Sequence, residues 1–122
     1  MRLLTLCAVL LMLAIVPAFA ADISGTWTAH VELEGGGGGS PTFTLKQAGT
    51  KLTGTFTNPS LSQPLTGTVT GDTFTFDVTA EIQGTAIKIS YKGKFEGGKL
   101  VGTMSRTVNG ETTPGKFMAT KQ

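Results

Sequence analysis

KLTGTFT at residues 51–57 is echoed by LTGTVT at 65–70 and by LVGTMS at 100–105. In each copy a leucine is followed two residues on by glycine, and two further on by an apolar residue: Leu52-Gly54-Phe56, Leu65-Gly67-Val69, Leu100-Gly102-Met104. Tyr91-Gly93-Phe95 repeats the spacing without the leucine. Residues two apart share one face of a strand. These glycines therefore point the same way as the large apolar side chains, toward a core. Glycine weakens a strand interior, so its recurrence there needs a physical reason. A missing side chain lets a strand coil sharply and lets neighbouring large residues cross the interior. That is what strands wrapping a small barrel require. The same glycines could also open space for a ligand, and the two readings are compatible.

Outward from this repeat the whole chain alternates with period two. The first strand carries Trp27, Ala29, Val31 and Leu33 on one face, with Thr28, His30 and Glu32 on the other. Phe43 and Leu45 mark the second, and Phe74, Phe76 and Val78 mark the strand after Gly71-Asp72. Ile87, Ile89, Tyr91 and Phe95 alternate with Lys88, Lys92 and Lys94. Gln83-Gly84, Gly97-Gly98 and Asn109-Gly110 are two-residue hairpin signals. The last strand is expected over 115–121, with Phe117 and Ala119 inward. The expected fold is all-β: an eight-stranded antiparallel up-and-down meander closed into a small barrel. Closure removes the two exposed edges that an open meander would leave, and eight strands enclose an interior that side chains fill or one small ligand occupies.

Composition agrees. All 17 glycines lie beyond residue 20, threonine is abundant, and the formal net charge is only +2. No basic cluster exists, so nucleic acid is not an expected partner. Arg2, the apolar run 3–16 and the small-residue end Pro17-Ala18-Phe19-Ala20 read as a secretory signal, with cleavage between Ala20 and Ala21. The domain reading is a signal peptide over 1–20 and one barrel over 21–122. The location expected is secreted or periplasmic, with no membrane span after cleavage. The single cysteine, Cys7, lies inside the signal, so no disulfide is expected to staple the domain.

Reactive chemistry is scarce. His30 is the only histidine and has surface parity. Without a second histidine or a mature cysteine no metal set can be assembled, and no serine sits in a nucleophile elbow. Asp77 and Glu81 both read as outward. No catalytic residue, metal or cofactor is expected, and the chain reads as a non-enzyme. Thr53, Thr55, Thr57, Thr66, Thr68, Thr70, Thr73 and Thr75 read as a solvated outer wall. The inward aromatics Phe43, Phe56, Phe76 and Tyr91 are the candidate ligand-binding residues. Trp27 and Arg106 share inward parity, and are expected to pair as a structural plug, the guanidinium over the indole. The mouth is expected at the Gly35–Gly39 run and the 58–63 loop.

The stretches ISGTWTAH (23–30) and GTKLTGTFT (49–57) resemble the opening of the avidin and streptavidin family, and the Gly-x-Trp start is similar to the lipocalin pattern. Asp22-Ile23-Ser24-Gly25-Thr26-Trp27 also resembles the opening of a type of exported bacterial domain with no settled activity. The resemblance covers about a third of the domain. It implies a small calycin-type barrel, but not its best-known ligand. The family's asparagine two places after the first tryptophan is Ala29 here, its strand tyrosine is Phe56, and its later pocket tryptophans are missing. A ureido group would be left unpaired in such a pocket. A small exported inhibitor of metalloproteases is similar in shape, but typically has a disulfide.

Two functions follow. A hollow barrel would be a binding module for a small apolar or amphipathic ligand or a glycan. A filled barrel would be a protein-interaction or inhibitor module acting through its loops or outer face.

Overall fold

The computed structural model describes residues 22–122, and the signal expected over 1–20 lies outside the described residues. Nine strands form one sheet: β1 (Gly25–Leu33), β2 (Gly38–Gly39), β3 (Thr42–Ala48), β4 (Lys51–Asn58), β5 (Leu61–Thr70), β6 (Thr73–Ile82), β7 (Thr85–Glu96), β8 (Lys99–Val108) and β9 (Glu111–Lys121). β2 is a two-residue flap on the end of β1, and the other eight are the barrel staves. Each stave pairs antiparallel with its predecessor, and β1 closes the ring on β9 from Trp27 opposite Lys121 to Leu33 opposite Gly115. The meander barrel expected from the alternation is therefore the fold.

The inward parity holds along the staves. Trp27, Phe43, Leu52, Leu65, Val69, Phe76, Val78 and Leu100 are all but fully buried. The outer wall carries threonines and lysines instead. That is the reverse of a membrane-spanning barrel, which turns an apolar belt outward.

The inward glycines act by close approach. A Cβ on Gly67 would lie 1.9 Å from the Thr75 carbonyl oxygen and 2.6 Å from the Phe76 Cα. One on Gly54 would lie 1.9 Å from the Thr44 carbonyl oxygen. Gly93 and Gly102 face each other directly across β7 and β8, and a side chain on either would strike the opposite backbone. The wall folds inward over these positions, so the glycines bend the staves and do not open a chamber.

Two strand limits differ from the sequence reading, for one reason. β5 begins at Leu61, before Pro64, and β9 begins at Glu111, before Pro114. Proline cannot donate to a ladder, which argues against a central strand position. Here each proline sits where only one of its two ladders runs. β5 pairs with β4 from Leu61 onward but with β6 only from Leu65. β9 pairs with β8 from Glu111 but with β1 only from Gly115. The loop expected over 58–63 shrinks to Pro59-Ser60, where the Asn58 side chain accepts from the Ser60 and Leu61 amides at 2.8 and 2.9 Å. The glycine run is likewise no free loop. The Leu33 amide donates to the Gly37 carbonyl at 3.1 Å, and Gly38–Gly39 pairs with Val31 and Glu32.

Candidate binding site at the open end of the barrel

The two ends of the barrel differ. At one end residues 22–24 fold across the opening. The Ile23 amide donates to Gln47 Oε1 at 3.0 Å, and the Gln47 amide donates to Ser24 Oγ at 2.9 Å. The Ser24 amide and hydroxyl hold the Asp22 carboxyl below the usual carboxylate range, with Lys121 adding to the effect. Under this strap the Trp27 indole donates from Nε1 to the Ile23 carbonyl at 2.9 Å. It meets Phe95 edge-on, with ring centroids 6.3 Å apart. Ile23, Trp27, Leu52 and Leu100 leave no opening there.

Trp27 is thus a plug, but Arg106 is not its partner. β1 and β8 both run antiparallel to β9 and so parallel to each other. Trp27 stands near the start of β1 and Arg106 near the end of β8, which puts them at opposite ends. The cation over the indole is Lys121, its Nζ 5.9 Å from the ring centroid. Inward parity alone cannot tell two ends of a barrel apart, and the sequence reading joined residues that share only parity.

At mid-height the barrel is full. Tyr91 packs on Phe43 and Phe76 at 4.9 Å and on Phe117 at 5.0 Å, and Phe43 meets Phe76 at 5.1 Å. Phe56 joins through Phe43 at 6.1 Å. The structure therefore brings Phe43, Phe56, Phe76 and Tyr91 into one cluster. Phe43 and Phe76 are sealed inside it, while Phe56 and Tyr91 also border a cavity.

That cavity, of about 420 Å³, is the open end. Its apolar wall is Val31, Leu33, Ile89 and Met104, with Phe56 and Tyr91 beneath. Its rim includes Gly38, Gly39, Asn58 and Ser60, from the two segments expected at the mouth, together with Ser40, Pro41 and Arg106. Arg106 is the only charged residue in this lining. It makes no ion pair among the described residues. Tyr91 is 2% exposed, and its hydroxyl has no hydrogen-bond partner among the described residues. Burial pushes its pKa above the ordinary phenol value, so it stays a neutral donor. Sequence reasoning missed Val31, Leu33, Ile89 and Met104 as lining residues. They carry the inward parity of every core residue, and only the strap at the far end decides which inward residues stay open.

A larger concavity, about 520 Å³, lies on the outer wall where the Gly93–Gly102 pair thins the sheet. Its walls are exposed threonines with Lys92 and Lys94. Nearby Met118 is the most exposed large apolar residue described, at 44%.

The chain is thus an eight-stranded up-and-down barrel, sealed at one end and open at the other. No family model matches it, and no curated protein matches it in sequence. Among solved structures it is similar to the crystal structure of rhizavidin, with 14% identity over 82% of this chain and 86% of that chain and a TM-score of 0.48. The fold assignment rests on the strand register.

Proposed function

We propose that this protein is an exported, non-enzymatic binding module that takes a small amphipathic ligand in the open mouth of its barrel. The observation that carries the reading is the mouth cavity: apolar walls, a single unpaired guanidinium, and a floor of packed aromatics that stops a ligand going deeper. Small-molecule sites are concave and mostly apolar, with a few polar groups that set orientation. A glycan fits less well, because the aromatic faces on which sugars would stack are spent on one another. The test is native mass spectrometry of the protein purified without denaturation. The expected result is a reproducible added mass that disappears in Leu33→Trp, which fills the mouth. A bare mass, even after incubation with lipid and sugar extracts, would overturn the reading.

A protein-interaction role is the second reading. It is favoured by Met118, exposed beside Val101 and His30 on the outer wall. The same experiment separates the two, since a partner on the outer wall is indifferent to Leu33→Trp.

A further inference from the structure

Resting on the mouth-cavity reading, we infer that the ligand's head is a carboxylate, met by Arg106 and by the Tyr91 hydroxyl, on an apolar body of medium length. Three observations converge. The first is charge. Arg106 is the only ionic group in the lining and has no acidic partner among the described residues. A guanidinium beside an apolar wall favours a planar anion that accepts two parallel hydrogen bonds.

The second is the buried phenol. A buried hydroxyl without an acceptor keeps its full desolvation penalty, so an acceptor at Tyr91 would recover it. A raised pKa keeps the proton on this oxygen, so it donates and does not repel an anion. The third is placement. Tyr91 stands opposite Met104 in the β7–β8 ladder, and Arg106 is two residues beyond Met104 on the same face. Such diagonal neighbours lie about 7–8 Å apart, within reach of long side chains. One small head group can then touch both. A cation is disfavoured by Arg106, and a neutral alcohol would leave the guanidinium unmatched.

Size follows from volume. With about 30 Å³ for a water-sized group, a cavity of about 420 Å³ takes at most about 14 such groups. Decanoate is a suitable probe and decanol its neutral counterpart. The experiment is calorimetric titration of the protein with each, alongside methyl chemical shifts of Val31, Leu33 and Met104. Decanoate is expected to bind at least tenfold more tightly than decanol and to move those methyls. Arg106→Gln should weaken decanoate about tenfold and leave decanol unchanged, with Arg106→Lys in between. Tyr91→Phe should weaken decanoate several-fold without lowering the melting temperature, because its hydroxyl bonds nothing in the protein. Equal binding of acid and alcohol, or an Arg106→Gln variant that keeps the preference, would overturn the carboxylate while leaving the mouth as a site. No binding of either, with no methyl shift, would overturn the mouth itself.

Discussion

Gly67 must be glycine because the Thr75 carbonyl of the neighbouring strand occupies the place where a Cβ would go. Gly67→Val forces two backbones apart in a packed wall, which costs about 3 kcal/mol or more. For a domain of this size that is a fall of roughly 15 °C in Tm. Thr66→Val, one residue away on the outer face, should stay within about 0.5 kcal/mol. Thermal denaturation followed by circular dichroism checks the pair. Equal melting of Gly67→Val and its parent would remove the bending role of the glycines. Arg106 makes the complementary point. Its parity was read correctly and its neighbour was not, because alternation encodes a face but not a height.

At the scale of elements, the gap between β5 and β6 is the feature of interest. β5 follows β4 from Leu61 to Thr68, yet its pairing with β6 starts only at Leu65 opposite Val78. The segment Leu61–Pro64 and the stretch of β6 from Thr79 to Ile82 therefore diverge, and Pro64 has no amide with which to close the seam. This frees one side of the barrel at the Ile82 end of β6. Stability in proteins is not uniform, and unpaired backbone opens first. Amide hydrogen exchange should be faster in the β6-facing amides of 61–63 and the β5-facing amides of 79–82 than in the corresponding amides of 65–70 and 73–78. Uniform protection along β5 and β6 would mean that the seam closes in solution. The prolines at 64 and 114 show how a local rule misleads. Each is a residue disfavoured in a central strand, and each lies inside a strand because one of its flanking ladders has already stopped.

For the whole molecule the question is what holds it together. Among the described residues the close contacts of basic with acidic side chains are exposed: Lys94–Glu96 and Lys116–Glu32, with His30 beside Glu32, at 3.6–3.9 Å. Pairs of this kind contribute about 0–1 kcal/mol each. A buried aromatic or leucine contributes about 1.5–3 kcal/mol, and the core holds many of them, so the core decides. Tyr91, the only tyrosine, sits in the middle of that core and reports on it. Its pKa is raised in the folded state above the ordinary 10.0 by burial. The stability this contributes is fully present below pH 10 and is lost as pH climbs above it, because the unfolded chain releases the proton first. Absorbance at 295 nm should show no phenolate in the folded protein near pH 10.5, and should rise together with unfolding at higher pH. Tyr91→Phe should remove that part of the alkaline destabilisation. A phenolate midpoint near 10 in the folded protein would place Tyr91 in water.

Fold class, the order and number of the barrel staves, the side each stave residue faces, and the lack of a second cysteine with which Cys7 could pair in the same chain are all readable in the sequence itself. These are local properties, written in period-two alternation, in turn dipeptides and in a count of cysteines. The sequence also placed Phe43, Phe56, Phe76 and Tyr91 in one narrow interior, where they pack on one another together with Phe74 and Phe117. Which end of that interior is open is set by contacts between distant segments. Closure of the far end depends on the strap at 22–24, the Trp27–Ile23 hydrogen bond and the contact of Trp27 with Phe95, joining residues up to 68 apart in sequence. Which inward residues remain accessible is a property of the closed ring, since a strand's height in a barrel depends on the register of every strand before it.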